Sequence, residues 1–344
     1  MRHEALAHAT YLRMPKIPRP DFLPTVADIR AAAERIAPAA KRTRLLQSQA
    51  LSKHANTDVF VKCELEQETG SFKVRGAFNV LASLTPEQRR RGVVASSAGN
   101  HGLGVAFASR AFGAPAMLYV PSTAPHVKKA GIAKLGATVN DDEPDYDAAM
   151  VRAKAHAQQY SIPFINPCLG HDLLAGQGTV ALEVLEQCPA LQTIVICTGG
   201  GGLLGGMGAA LRELAPHVRI VGAQSVKTAA MSLSVAAGRV VPIDSEPTLA
   251  DGLAGQIDAE ALAIGVYCAD EIVTVTEEEL GETIAWLWRV EGLKSEGAGA
   301  VSIAAIRHGK IDALTGPIVA IISGGNIDDA KHAALLAKYP LAGT

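Results

Sequence analysis

Three short segments of this chain carry residue types that could act together on a small molecule. They are ETGSFKVRGA around Lys73, TGGGGLLGG from Thr198, and SGGN from Ser323. A lysine amine can condense with an aldehyde, and consecutive glycines can hold a phosphate through their backbone N–H groups. The late serine adds a hydroxyl between a strand and a helix. Together the segments indicate a site for pyridoxal phosphate, which carries both an aldehyde and a phosphate.

Lys73 is expected to be held in a partly buried position, although a single lysine usually lies on the solvated surface. It follows the turn-like residues Thr69 to Phe72 and precedes an apolar helix from Val74 to Leu81. Burial favours the neutral amine that Schiff-base chemistry needs. Phe72 is predicted to lie next to the cofactor ring, and its alternative interpretation is an ordinary core phenylalanine.

The glycine run lies in the sequence TIVICTGGGGLLGGMGAAL, where a β-branched strand precedes the start of a helix. Residues Gly200 to Gly205 satisfy the GxGxxG pattern of dinucleotide-binding proteins, which also need an Asp or Glu about 20 residues later. This chain has Gln224 there. Four consecutive glycines can instead surround one phosphate, helped by roughly half a positive charge at the helix N-terminus. A phosphate site is therefore the favoured interpretation of the glycine run. The alternatives are the cofactor site of a nicotinamide dehydrogenase, and glycines that only permit close helix packing.

The segment SSAGNHG follows the apolar strand GVVA and opens a helix. Exposed N–H groups at a helix start suit an anion, here a substrate carboxylate, and Asn100 can donate a hydrogen bond to a ring hydroxyl. Ser97 and Asn100 could also be plain N-caps, and His101 could be a structural histidine. Ser323 offers the pyridine nitrogen a neutral hydroxyl, which makes the ring a milder electron sink and favours prompt loss of a β-leaving group.

The composition excludes several other classes of protein. The 344 residues are 48% hydrophobic, enough for one or two cores, and the formal net charge is -2. A small molecule is therefore the expected partner, with no nucleic acid and no membrane. No long apolar leader or spanning segment is present, so a cytoplasmic location is expected. The cysteines form no CxxC pair, which fits neither a disulfide framework nor a zinc site: Cys63, Cys168, Cys188, Cys197 and Cys268.

Short β-type runs alternate with helical patterns, which is typical of α/β architecture with mostly parallel sheets. A helical pattern runs from Val26 to Ala40, and Gly238 to Asp258 is predicted to be a long functional loop. The predicted strands, read as buried on both faces, are Asp58 to Lys62, Gly92 to Ala95, Ala116 to Val120, Thr193 to Cys197, Arg219 to Ala223, Glu271 to Val275 and Pro317 to Ile322. The predicted helices are Gly99 to Phe112, Tyr146 to Tyr160, Gly201 to Leu214, Glu277 to Val290 and Ile327 to Lys338.

At these motifs the chain resembles the pyridoxal-phosphate enzymes of the tryptophan synthase β-subunit fold (fold type II), and among them the short, catabolic threonine dehydratases. The resemblance runs from about Asp28 to Asp328 and includes KCELEQETGSFKVRGAFNVL, GVVASSAGNHGLGVA, AGQGT, LADGLAG, EGAGA and ISGGNID. It implies two lobes, each a mostly parallel sheet flanked by helices. Residues 1–53 with 159–344 would form a large cofactor-binding domain, and residues 54–158 a small mobile domain that carries the substrate loop.

The resemblance also implies roles for individual residues. Lys73 would form the Schiff base and Phe72 would pack on the ring. The other cofactor-binding residues would be Asn100 at the ring hydroxyl, Gly199, Gly200, Gly201, Gly202 and Leu203 at the phosphate, and Ser323 at the pyridine nitrogen. The substrate carboxylate loop would be Ser97, Ala98, Gly99, Asn100 and His101, with Gly252 and Glu296 lining the pocket.

The implied activity is that of a lyase: α,β-elimination of water from a β-hydroxy amino acid, giving a 2-oxo acid and ammonia. Threonine, serine, phenylserine, hydroxyaspartate and a hydroxyectoine-pathway substrate stay open, as does a β-replacement or threonine synthase. A module that binds pyridoxal phosphate without turnover is disfavoured by the intact lysine. The relatives are commonly homodimers or homotetramers.

Several departures from the family pattern bear on the details. Racemases of the family have a serine where this chain has Ala98, so racemisation is expected to be poor. Metal-activated relatives have a glutamate at the position of Gln224 and an aspartate at that of Ala230, so no divalent metal is expected at that loop. Arg44 replaces a usual proline, and Leu65 with Glu66 replaces Asn-Leu; both changes lie near the lysine motif and leave the substrate open.

Overall fold

The computed structural model describes residues 17–244 and 246–341. Three parts of the chain lie outside the described residues: residues 1–16, on which the expectation of no apolar leader falls, Ser245 in the predicted loop, and residues 342–344. The strands of the described part are β1 Leu45–Gln47, β2 Val59–Cys63, β3 Val93–Ser96, β4 Ala116–Pro121, β5 Thr138–Glu143, β6 Thr193–Cys197, β7 Arg219–Ser225, β8 Glu271–Val275 and β9 Ile318–Ile322.

The helices alternate with these strands over most of the chain. They are α1 Val26–Ile36, α2 Gln49–Ala55, α3 Lys73–Ser83, α4 Pro86–Arg91, α5 Asn100–Phe112, α6 His126–Lys134, α7 Tyr146–Tyr160, α8 His171–Gln187, α9 Gly202–Leu214, α10 Ala230–Ala237, α11 Ala259–Cys268, α12 Glu277–Trp286, α13 Gly297–Arg307 and α14 Asp329–Lys338. A π-helical turn at Leu287–Glu291 continues α12. Serine, threonine and aspartate side chains cap several helix starts, such as Thr25 at α1 and Asp145 at α7.

The strands form two separate sheets. The larger has six strands in the order β1-β2-β9-β6-β7-β8, and the smaller has the order β3-β4-β5. Only β1 pairs antiparallel; the other neighbours in both described sheets are parallel. Helical crossovers join the parallel strands, as this geometry requires. The predicted α/β architecture with mostly parallel sheets is confirmed.

The smaller sheet is covered on both faces. Val93 and Ala95 of β3 belong to a core with α3 and α5, whereas Val94 between them packs with Tyr119 and α7. Successive side chains of a strand point to opposite faces, so a strand covered by helices on both sides reads as an unbroken apolar run. This explains why GVVA could be predicted as a strand from the sequence.

The predicted strands are all present, with ends that differ by one or two residues. The prediction that Glu271 to Val275 is buried on both faces is wrong, because β8 is the edge of the larger sheet and only Val275 is fully covered. Two strands were missed. β1 has three residues, and β5, with the sequence TVNDDE, is a largely exposed edge strand whose acidic residues hide the strand pattern.

The predicted boundary at residue 54 does not coincide with the division between the sheets. Residues 59–63, assigned to the small domain, form β2, which pairs with β9 inside the larger sheet. The smaller sheet begins at Val93, and α3 packs against both α5 and α8, so it lies at the junction of the two lobes. Whether the lobes move as separate domains stays a prediction.

A buried group of charged residues lies behind α3. The guanidinium of Arg75 makes a bidentate pair with Glu64, through Nε and Nη2 at 2.8 Å each, and also binds Glu183 at 2.7 and 3.0 Å. Lys62 donates to the same Glu183 at 2.5 Å and to the backbone carbonyl of Thr43 at 2.9 Å. This network joins β2, α3 and α8, and it fixes the helix on which Lys73 stands.

Helices long and apolar enough to cross a bilayer are lacking in the described residues.

Candidate active site

Lys73 is the first residue of α3 and is partly buried, as predicted. Its amine donates a hydrogen bond of 2.7 Å to the backbone carbonyl of Pro167 and lies 5.2 Å from the ring centroid of Phe72. On the other side, a β-carbon on Gly104 of α5 would lie 3.2 Å from the Lys73 carbonyl group. The amine is therefore held at the segment that contains Pro167, with the Phe72 ring beside it, while the backbone of Lys73 packs closely on α5.

The tetraglycine turn connects the end of β6 at Cys197 to the start of α9 at Gly202. Gly201 has φ +90°, a backbone conformation that glycine adopts without strain. A β-carbon on Gly200 would lie 2.7 Å from the sulfur of Cys168, and one on Gly202 would lie 3.0 Å from the Cys168 carbonyl oxygen. The turn is thus a cradle of bare backbone at a helix N-terminus, which fits a phosphate group.

Two neighbouring contacts define the walls of this cradle. A β-carbon on Gly199 would lie 3.0 Å from the Cα atom of Leu253, in the 3-10 turn that also contains Gly252. Leu203, in the first turn of α9, is buried. The glycines therefore allow close approach of both the 166–169 segment and the 250–253 turn.

The loop that carries Lys73 is joined to the loop that follows β9. Ser71 and Gly324 form an isolated antiparallel bridge, and the N–H of Phe72 donates to the carbonyl of Ser323 at 3.0 Å. The Ser323 side chain is buried and lies 3.4 Å from the carbonyl of Ala298. These backbone bonds bring Lys73 and Ser323 to one place, although the sequence separates them widely.

The predicted carboxylate loop lies between the end of β3 and the first turn of α5. Ser97 accepts a hydrogen bond of 3.1 Å from the N–H of Gly99, and Ala98 is partly exposed. Asn100 begins α5, donates to a carboxylate oxygen of Glu296 at 2.6 Å and accepts from the side chain of Asn326 at 2.7 Å. The predicted residues Asn100 and Glu296 are therefore in direct contact.

His101 is buried, with its Nε2 atom 3.0 Å from the backbone carbonyl of Ile165. Burial and the nearby charge of Lys73 lower the pKa of His101 to about 3, so the imidazole is neutral at physiological pH. The contact with a backbone carbonyl supports the structural interpretation, in which His101 anchors the segment that leads to Pro167 and Cys168.

Glu296 and Gly252 lie on the side of the larger sheet. Burial raises the pKa of Glu296 to about 7, with a further contribution from the negative charge of Asp251. Gly252 is exposed, and a β-carbon on it would lie 3.0 Å from the β-carbon of Ala298. Both residues therefore adjoin the start of α13, next to Ser323.

Three contact residues were not assigned a role from the sequence. Pro167 and Cys168 lie in an irregular segment with no motif signal, and Asn326 was quoted only as the last letter of SGGN. A Ser-Gly-Gly-Asn turn after a buried strand was the one available signal for Asn326, since an asparagine at a strand end often forms side-chain hydrogen bonds.

The position compared with metal-activated relatives has local partners for its side chain. The amide of Gln224 donates to the carbonyl of Thr228 at 2.7 Å and accepts from the N–H of Ser232 at 2.9 Å. Within the described residues no group of three or more His, Cys, Asp or Glu could hold a metal ion. The expectation of no metal at this loop stays a prediction.

Cys168 is expected to react with thiol reagents faster than the other four cysteines. It alone is partly exposed among them, and burial raises the pKa of Cys197 to about 11 and those of Cys63 and Cys268 to about 12. Because Cys168 lies against the tetraglycine turn, bound cofactor is expected to slow its alkylation by N-ethylmaleimide, measured by peptide mass spectrometry. The buried cysteines serve as internal controls, and equal labelling with and without cofactor would contradict the placement of the phosphate.

Comparison with known proteins gives a consistent result. The family model described as "Pyridoxal-phosphate dependent enzyme" matches residues 36–324. An L-threonine ammonia-lyase of Thermotoga maritima is 38% identical over 88% of this chain and 76% of that protein. The catabolic L-threonine dehydratase of Staphylococcus aureus is 34% identical over 88% of this chain and 89% of its own length. Among solved structures, maize serine racemase has a TM-score of 0.87 at 30% identity, over 92% of this chain and 98% of the other.

Proposed function

Because this chain belongs to the pyridoxal-phosphate dependent enzymes, we propose that it removes water from a β-hydroxy amino acid of the threonine or serine type and releases a 2-oxo acid and ammonia. The observation that carries the proposal is that the Lys73 amine binds Pro167 while the tetraglycine turn packs on the adjacent Cys168, and that the Lys73 loop pairs with Ser323 through its backbone. Relatives named threonine ammonia-lyase and threonine dehydratase, similar over most of the chain, support the reaction class.

The residues present fit the cofactor. In the cradle, β-carbons on Gly199, Gly200 and Gly202 would crowd their neighbours, and Gly201 has φ +90°; these glycines would hold the phosphate together with Leu203, while Lys73 would hold the aldehyde carbon. Phe72 would pack on the ring, Asn100 would donate to its hydroxyl, and Ser323 would face its nitrogen. When bound, pyridoxal phosphate supplies an aldehyde and an electron-accepting ring that make the Cα proton of an amino acid acidic.

The chain's own residues move the protons and hold the substrate. The amine of Lys73 would act as the base that takes the proton from Cα, and the carbonyl of Pro167, 2.7 Å from it, orients that amine. N–H groups of the loop from Ser97 to His101 bind the substrate carboxylate at the start of α5. The β-hydroxyl would leave with a proton as water, which balances the proton taken from Cα, and the released enamine would take up one water and give the 2-oxo acid and ammonia.

The hydroxyl of Ser323 distinguishes this site from one with a carboxylate at the same place. A neutral hydroxyl does not keep the pyridine nitrogen protonated, so the site favours prompt loss of the β-hydroxyl over a long-lived carbanion. Ala98 supplies no acid on the second face of the ring, which argues for elimination over racemisation despite the similarity to a serine racemase.

The proposal is tested with a panel of β-hydroxy amino acids: threonine, serine, phenylserine and hydroxyaspartate. Release of 2-oxo acid and ammonia in equal amounts, highest with threonine or serine, is the expected result. The same assay with an added thiol detects a β-replacement synthase, and chiral chromatography of the remaining substrate detects racemisation. Product that contains the thiol, or racemised substrate without ammonia, would overturn the lyase assignment; turnover only of phenylserine or hydroxyaspartate would move it to those substrates.

Three further points belong to this proposal. The smaller lobe moves against the larger one when substrate binds to the loop at Ser97 to His101. The chain assembles as a homodimer or homotetramer, and it acts in the cytoplasm.

A further inference from the structure

Glu296 occupies the N-cap position of α13 without capping that helix, since its side chain makes no hydrogen bond to the helix N–H groups. Serine, threonine, aspartate and asparagine are the residues that usually stabilise a helix start. The carboxylate points instead toward the smaller lobe and accepts a 2.6 Å hydrogen bond from the Nδ2 atom of Asn100. The identity of this residue is therefore not explained by the helix that it begins.

Burial of the Glu296 carboxylate also costs free energy, because a charged group loses its hydration. The residue is 7% exposed, and among the described residues no Lys, Arg or His forms an ion pair with its carboxylate within 4 Å. Burial and the charge of Asp251 raise its pKa to about 7, while the bond from Asn100 and the more distant Lys128 and Lys331 act in the opposite direction. A buried carboxyl without a cationic partner lowers stability, so a function outside folding is the better account of it.

The hydrogen bonds around Asn100 have a defined direction. The carbonyl of Thr69 can only accept, so the Nδ2 atom of Asn326, 2.8 Å away, must donate to it. The same Nδ2 atom donates to the Oδ1 atom of Asn100 at 2.7 Å, which leaves the Nδ2 atom of Asn100 to donate to Glu296. An acceptor at each end of the series therefore fixes which way the Asn100 amide faces.

The loop after β9 leaves room for this arrangement. A β-carbon on Gly324 would lie 2.4 Å from the Oε1 atom of Glu296 and 3.1 Å from the Nδ2 atom of Asn100. The carboxylate thus packs on bare backbone, beside the Ser71 to Gly324 bridge that carries the Lys73 loop. Segments from both lobes meet at this one side chain.

We propose that Glu296 is a positioning residue, which holds the Asn100 amide with its Nδ2 atom toward the ring hydroxyl of the cofactor. The inference rests on the proposed function, because it takes Asn100 as the partner of that hydroxyl. Of the two protons on Asn100 Nδ2, one serves Glu296 and the other is free to serve the ring. Without Glu296 the amide can rotate, and the ring loses a preoriented donor.

The test compares Glu296→Ala with Glu296→Gln and measures the dissociation constant of pyridoxal phosphate by absorbance titration of cofactor-stripped protein. Glu296→Ala is expected to weaken binding about tenfold, the effect of one oriented hydrogen bond. Glu296→Gln keeps an oxygen that accepts from Asn100 and is expected to stay within about twofold of the wild type. Glu213→Ala, at an exposed glutamate on α9, is the matched control and should change nothing.

A double-mutant cycle separates positioning from a general structural effect. In an Asn100→Ala background, Glu296→Ala is expected to cause no further loss of cofactor affinity. An equal additional loss would show that Glu296 acts without Asn100 and would overturn the inference. So would equal weakening by Glu296→Ala and Glu296→Gln, or normal affinity in Glu296→Ala.

Asn326→Ala keeps the test valid if the Glu296 variants fail to fold. It interrupts the same series of hydrogen bonds from the other end and is expected to weaken cofactor binding to a similar extent; unchanged affinity would contradict the inference. Failure of the proposed function looks different, because it would appear in the wild type as product that contains the added thiol or as racemised substrate without ammonia, while the cofactor affinities of the variants would still follow the pattern given above.

Discussion

Lys73→Ala is expected to lower kcat/KM for 2-oxo acid release by at least about 10³-fold and to remove the visible absorbance of the bound cofactor. The reason is that this one amine both holds the aldehyde carbon and takes the Cα proton. The neighbouring His101 offers no replacement, since it is neutral, buried and turned to the carbonyl of Ile165. The measurement is a steady-state assay paired with an absorbance spectrum of the purified protein.

Lys53→Ala is the matched control, because Lys53 is exposed on α2, away from the site. It should keep both the spectrum and the activity. Borohydride reduction of the wild type followed by peptide mass spectrometry should place the cofactor mass on the peptide that contains Lys73. Retained turnover in Lys73→Ala, or the added mass on another lysine, would contradict the assignment.

Arg75→Ala is expected to lower the free energy of unfolding by about 3–5 kcal/mol. Its guanidinium is 1% exposed and is the direct partner of Glu64, which is fully buried, and of Glu183. Removing the cation leaves buried carboxylates without their main partner, which is more harmful than losing the pair as a whole. Because Arg75 is two residues from Lys73 on α3, we also expect weaker cofactor binding. Urea denaturation followed by circular dichroism measures the first effect.

The pH dependence gives a second measurement of the same variant. Burial raises the pKa of Glu64, but Arg75 beside it outweighs burial, and the net pKa is lowered. In the wild type this stabilisation is therefore present above the ordinary pKa of a glutamate, and it is lost as the pH falls through the lowered value. In the variant, burial is opposed only by the hydrogen bond from Thr43 and the charge of Lys62, so the stability difference should be larger at pH 7 than at pH 4.

Arg42→Ala is the control for this prediction. Arg42 pairs with Glu186 on the surface, where both side chains are more than half exposed, and such pairs contribute about 0–1 kcal/mol. A loss in Arg75→Ala no larger than that in Arg42→Ala would contradict the role given to the buried network.

Much of the fold could be predicted because most strands are covered on both faces. Strands such as TIVIC and PIVAII are then continuous apolar runs, and glycines or turn residues mark their ends. β5 was not predicted because its residues are mostly exposed at a sheet edge, where apolar side chains are not required. β2 was found, but its sheet was not, because pairing with β9 is a tertiary event that the strand sequence does not encode locally.

The candidate site could be predicted from the sequence where its chemistry depends on short motifs. Lys73 and the tetraglycine turn carry their own signals, an amine in an apolar setting and a run without side chains. The contact of Asn100 with Glu296 joins residues 196 positions apart, and that of Asn326 with Thr69 spans 257 positions. Such contacts depend on how the lobes pack. A single sequence can therefore identify the residues but not which of them are in contact.

The short backbone ladder between Ser71 and Gly324 has a consequence for biosynthesis. As the polypeptide emerges from the ribosome, the smaller sheet and its helices can condense early, because they lie within one stretch of the chain. The lysine loop, by contrast, has no edge to dock on until β9 and the glycines after it have been translated. A nascent protein therefore becomes able to capture its vitamin-derived cofactor only after β9 and the glycines that follow it have been translated, long after Lys73 itself.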